Sequence, residues 1–127
     1  MLIRLGLDRV DIVYVHDPDD HLDTTIDQAL TALAALRDQG VIGAVGIDMN
    51  AVAPLLRVVN EADVDAVMMA SRWTLIDRTA RPLLESCAER EVSVVAAAPF
   101  NQVVGLVLGV RPAEDAVHIV GPGVAVD

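Results

Sequence analysis

His16 ends the run Val10-Asp11-Ile12-Val13-Tyr14-Val15 and opens the loop His16-Asp17-Pro18-Asp19-Asp20-His21. An imidazole at a strand's C-terminal end can donate a hydrogen bond to a substrate carbonyl and polarise it, or simply be satisfied where it stands with no ligand. The loop also gathers His21 and the carboxylates of Asp17, Asp19 and Asp20, an assortment that suits a divalent cation. An irregular loop fixes no ligand geometry, and Asp-Pro-Asp-Asp is a common solvated turn, so no metal site is assigned. Tyr14, two residues before His16, falls on the same side of a strand and is read as packing. Cys87 lies beside Leu83 and Leu84 with no His or basic neighbour to make it reactive, which reads as a reduced core thiol. Met68-Met69 reads as core filler and His118 as structural. Gly121-Pro122-Gly123 is a turn with only two glycine N–H groups to offer a phosphate.

Alternating elements must position these groups. Val10 to Val15 is rich in β-branched residues and predicts a strand that stops at the Asp-Pro loop. Thr25 with Gln28 forms a capping box ahead of Ile26, Ala29, Leu30, Leu33 and Leu36 at helical spacing, and Gly40 offers a left-handed stop, so a helix is expected from Thr25 to Gln39. Val41 to Ile47 is a second strand, and Asn50 can cap a helix whose face carries Val52, Leu55, Leu56 and Val59. Val64 to Ala70 is a third strand. Asp77 or Thr79 opens a helix through Arg90, Val92 to Ala98 is a fourth strand, and Val117 to Val120 reads as a fifth.

Strands apolar at nearly every position need cover on both faces, which helical crossovers between parallel strands supply. The class is therefore α/β. Strand starts near Val10, Val41, Val64 and Val92 are spaced like the ~31-residue units of an eight-stranded barrel of ~250 residues. The chain then holds four to five βα units with parallel strands, a partial (β/α)8 TIM barrel in a single domain over residues 1–127.

With 127 residues, 54% of them hydrophobic, the chain is long and apolar enough for one folded domain and not disordered. Charge-free runs such as Val92 to Phe100 and Val103 to Val110 fall short of the ~18 apolar residues of a membrane span, so a soluble protein is expected. A net charge of −10 with no Lys/Arg cluster repels nucleic acid and anionic lipid, and neither is expected as a partner. One cysteine and no signal-peptide-like start point to the cytoplasm.

Two spans carry a resemblance: Arg4-Leu5-Gly6-Leu7-Asp8-Arg9-Val10-Asp11-Ile12-Val13-Tyr14-Val15-His16 and Gly40-Val41-Ile42-Gly43-Ala44-Val45-Gly46-Ile47. They are similar to segments of the aldo/keto reductase family, as are Trp73-Thr74-Leu75-Ile76-Asp77 and the stretch Val92 to Asn101. The resemblance covers residues 2 to about 108, leaving 109–127 as a separate C-terminal segment, and in wording it is nearest to bacterial dehydrogenases of aldoses such as fucose. It implies an eight-stranded barrel that binds NADP or NAD without a Gly-rich phosphate loop and moves a hydride between nicotinamide and a carbonyl. Of the family's catalytic Asp, Tyr, Lys and His, only the His carries over, onto His16; the other three belong to strands upstream of the first span. The chain contains no lysine.

The resemblance also implies Asn50 as a contact to the nicotinamide amide. Ala70 stands where the family commonly has Gln, and Ala97 where it has a ring-stacking aromatic. Phe100, three residues on, is the substitute ring, with Asn101 beside it. The Arg that commonly grips a 2′-phosphate has no counterpart, and Val117 to Gly123 reads as a remnant of the eighth strand with its phosphate loop. Two functions follow. One is an oxidoreductase acting on a sugar or small aldehyde, of which this chain is a partial copy inactive alone. The other is a non-catalytic remnant that associates with itself or another barrel fragment through its unpaired edges.

Overall fold

The computed structural model describes residues 4, 6–98 and 117–120. Four strands, β1 (Val10–His16), β2 (Ile42–Asp48), β3 (Ala66–Ala70) and β4 (Ser93–Ala97), pair in parallel and in chain order. Helical segments join them: α1 (Leu22–Thr24, Thr25–Leu30 and Thr31–Asp38, continuous) between β1 and β2, α2 (Val52–Glu61) between β2 and β3, and α3 (Arg81–Glu89) between β3 and β4. This is the βα repeat the sequence predicts. The fifth strand, β5 (Val117–Val120), forms where expected but pairs antiparallel with β4. It is thus not a fifth parallel βα unit, and its direction departs from that of a barrel's eighth strand, which runs parallel to its neighbours.

Parallel register and side-chain alternation assign the two faces of the sheet. Val45, Ile47 and Met49 of β2 and its extension, Val67 and Met69 of β3, and Val94 and Ala96 of β4 face one way. They form the buried core with Leu30 of α1, Leu55, Val58 and Val59 of α2, and Leu83, Leu84 and Cys87 of α3. The opposite face carries Tyr14, Gly46 and Ala66, then His16, Asp48 and Met68, in rows across β1, β2 and β3. Gly46 is required there: a Cβ at this position would fall on the Tyr14 ring, which lies across β2.

The helix ends differ from expectation in instructive ways. α1 starts earlier, running through Leu22–Thr24, a π-helical stretch Thr25–Leu30 and Thr31–Asp38, after a 3-10 turn at Asp19–His21. Thr25 is buried inside it and makes no cap; Asp19, Asp20 and Asp23 instead place negative charge at the positive end of the helix. Its C-terminus is as expected: Gly40 at φ 74° lets its own N–H reach Arg37 O and the Val41 N–H reach Leu36 O, at 2.8 and 3.0 Å. Asn50 does not cap α2, whose N-cap is Ala51 with no side-chain bond. α3 begins at Arg81 because Asp77 spends its carboxylate on the N–H and hydroxyl of Thr79, forming a turn ahead of the helix. Glu91 closes α3 in the left-handed region at φ 59°, a place that favours glycine.

At the N-terminal end of the sheet, Asp65 ties three elements together. Its Oδ2 accepts the Val45 N–H at 2.8 Å while Arg37, at the end of α1, donates to both its oxygens at 3.0 and 2.9 Å. Arg37 also donates to Asp63 at 2.6 Å.

Candidate active site

The C-terminal ends of the parallel strands bring His16 of β1 level with Asp48 of β2. In register and on the same face, their side chains meet: His16 Nδ1 lies 2.7 Å from Asp48 Oδ2, a distance typical of a charge-assisted bond in which Nδ1–H donates. The chain then turns sharply at Asp17, in the left-handed region at φ 42°, with its N–H donating to Asp48 O at 2.9 Å. That turn returns the Asp17 carboxylate to the other ring nitrogen, Nε2, at 3.4 Å. The bond to Asp48, followed by the charges of Asp17 and Asp48, raises the His16 pKa above the usual histidine value. His16 is open to solvent, its side chain 73% exposed, while Asp48 is 21% exposed.

Tyr14 lies two residues back on the same face and is half-buried. Burial, and secondarily the Asp48 charge, push its phenol above the usual value. That is the wrong direction for a catalytic phenol, and Tyr14 serves as a wall against Gly46, in keeping with packing. Cys87 is buried, with its thiol pushed up to about 11 by burial, and is chemically quiet as expected.

Asn50 sits two residues past β2, exposed, at the same end of the sheet as His16. Its main-chain carbonyl accepts from Arg72 Nε at 3.0 Å, which fastens the loop after β2 to the loop after β3. In that second loop Thr74 Oγ1 accepts the N–H groups of Ile76 and Asp77, and the guanidiniums of Arg78 and Arg81 lie 4.4 and 5.8 Å from the Trp73 ring centroid. Ser71 and Ala98 also adopt left-handed conformations just past β3 and β4. Three strands thus end in a sharp turn at the same end of the sheet.

The structure brings His16 and Asn50 to one end of the sheet. Phe100 and Asn101, the other two cofactor contacts expected from the sequence, lie outside the described residues, as does Gly121-Pro122-Gly123. Among the described residues no three His, Cys, Asp or Glu side chains gather as a metal centre. Sequence reasoning missed Asp48 as a partner of His16, and it missed the clasp made by Arg72. The available signal was positional: His16 and Asp48 each close an apolar run, and adjacent parallel strands bring such ends together.

Comparisons with known proteins identify the family and the fold. The sequence matches the Aldo/keto reductase family over residues 1–114, slightly beyond the Leu108 limit of the resemblance. It is similar to the D-threo-aldose 1-dehydrogenase of a Pseudomonas species, with 43% identity over 114 residues, covering 88% of this chain and 34% of that protein. It is also similar to the pyridoxal 4-dehydrogenase of Microbacterium luteolum, at 30% identity, covering 77% of this chain and 32% of that protein. The chain therefore spans about a third of the length of these relatives. Among solved structures, an aldo-keto reductase of Pseudomonas aeruginosa superposes with a TM-score of 0.62 at 32% identity, over 76% of this chain and 37% of that one. The holo form of an aldo-keto reductase from Bacillus halodurans gives 0.63 at 26% identity, over 76% and 32%.

Proposed function

Because this chain belongs to the aldo/keto reductase family, we propose that it is the carbonyl-binding part of an oxidoreductase that moves a hydride between NADP or NAD and an aldose or small aldehyde. The observation that carries this reading is His16, exposed at the end of β1 with its Nδ1 committed to Asp48, which leaves Nε2, with the Asp17 carboxylate at 3.4 Å, as the nitrogen a ligand would meet. When the ring is protonated, Nε2–H is a donor placed there, and it stabilises the negative charge that builds on a carbonyl oxygen as hydride arrives. The names of the two relatives speak of an aldose and of pyridoxal as substrates of those proteins, which supports the same substrate class here.

Bound nicotinamide would supply the hydride acceptor or donor. Toward it the described residues offer Asn50, whose main chain Arg72 holds in place; Ala70 offers no amide. Phe100 and Asn101 complete the proposed contacts. The described residues thus fit the amide end of the cofactor and little else of it.

The proton is the missing element. The family's phenol is activated by a neighbouring ammonium, but this chain has no lysine and its Tyr14 is shifted upward. We therefore expect no cofactor turnover from the 127-residue chain with fucose, arabinose or an aromatic aldehyde. Turnover that His16→Ala abolishes would contradict this.

A second reading, a non-catalytic partial barrel that associates with another copy, is favoured by one specific observation. β1 stands at the edge of the sheet with Ile12 45% exposed on its open face, and Leu7 just before it is 51% exposed. An edge with no strand partner among the described residues, beside apolar surface, favours pairing with a second chain. Sedimentation should then show a species larger than 13.5 kDa; a compact monomer with a cooperative melt would remove this reading. A buried, reduced Cys87 fits a reducing compartment such as the cytoplasm.

A further inference from the structure

We propose that Asp48 is a positioning residue: its carboxylate, 2.7 Å from Nδ1, fixes the tautomer and aim of the His16 ring so that Nε2 is presented to the oxygen of an aldose or small aldehyde. This rests on the function proposed above and adds to it a residue and a charge state. A histidine left to itself at an exposed strand end rotates freely and exchanges between tautomers. Here the ring is gripped from β2, because parallel register sets the last residues of β1 and β2 side by side on one face. Tyr14, lying across Gly46, closes the space on the inner side of the pair.

With Nδ1–H given to Asp48, the remaining nitrogen decides what the ring can do. Asp17 approaches it at 3.4 Å from a side chain that is 44% exposed, a longer contact that a substrate oxygen can displace. Among the described residues, the charged and titratable groups near the ring are Asp48 from β2, Asp17 from the turn and, two residues back on the same face, Tyr14 of β1. The two carboxylates both favour the imidazolium, in agreement with the upward shift at His16. Nε2 therefore carries a proton in the dominant form at and below the usual histidine pKa of about 6.5, and offers a charged N–H to the substrate oxygen. No bond forms or breaks in this role; Asp48 acts through His16.

The test is an NMR titration of the unmodified chain with ring-labelled histidine, the His16 signal being identified by its loss in His16→Gln. His16 should titrate above the usual value, and its neutral form should carry the proton on Nδ1. In Asp48→Asn the amide oxygen still accepts from Nδ1, so the tautomer should persist while the midpoint shifts downward. In Asp48→Ala both should be lost. A midpoint at or below the usual value, a neutral form protonated on Nε2, or an Asp48→Asn midpoint equal to wild type would overturn the proposal. The wild-type tautomer alone decides the matter if the alanine variant fails to fold. None of these readouts needs turnover, so an oxidoreductase reading that failed would leave them intact, and their failure would leave that reading standing without Asp48.

Discussion

His16 could be picked out from the sequence because it closes an apolar run at a strand's active end and falls where a stretch resembling the aldo/keto reductase family has its His. Asp48 closes an apolar run too, but its partnership with His16 depends on which strands are neighbours and in what register, and neither is a local property of the chain. The same holds for Gly46. Its lack of a side chain reads as nothing in particular until Tyr14 of the adjacent strand is seen to occupy the space. Gly46→Ala should therefore displace the Tyr14 ring and cost about 1–3 kcal/mol, the usual range for overpacking. Denaturant unfolding would show it, and an unchanged midpoint would mean that the ring moves aside at no cost.

Strand positions were readable to within a residue or two because apolar runs bounded by Gly, Pro and Asp mark them, whereas helix starts were not. Thr25 and Asn50 have the right chemistry for caps, but Thr25 is drawn into the core and Asn50 stands one residue too early. Tertiary placement outweighed local capping preference at both sites. At the C-terminus of α3, Glu91 does what Gly40 does for α1, with the Val92 N–H reaching Cys87 O at 2.9 Å. A side chain in the left-handed region costs about 1–2 kcal/mol and the entropy of glycine takes back about 0.5–1 kcal/mol, so Glu91→Gly should stabilise the protein by up to about 1 kcal/mol. A lowered melting temperature would refute that. The Arg37 cluster adds a pH dependence. Hydrogen bonds from Arg37 hold the Asp63 carboxyl below its usual range, so its contribution to stability is present above that range and is lost as pH falls through the folded value. Asp63 is largely exposed, so the effect is small and weakens with salt. Asp63→Asn should flatten the acid limb of the stability curve below about pH 4; an identical limb would show that the pair contributes nothing.

Taken whole, the described residues form a five-stranded sheet, four strands parallel and β5 antiparallel, with helices packed on one face and a chemically furnished end, and the chain is about a third of the length of the relatives it matches. The α/β class and the barrel-like unit length followed from strand composition and spacing. The antiparallel direction of β5 did not, because the residues of a short apolar run do not encode which way it will pair. The proposed division of labour is that this chain brings His16, Asp48 and Asn50, while a phenol and an ammonium for proton transfer must come from elsewhere. The direct measurement is kcat/KM for aldose oxidation by the chain joined to an upstream family segment that carries the Asp, Tyr and Lys, with His16 intact and as His16→Ala. Loss of a preorganised donor to the developing oxyanion predicts a fall of about 10²-fold with the fold retained. An unchanged kcat/KM in the alanine variant would contradict the account and return His16 to a structural role.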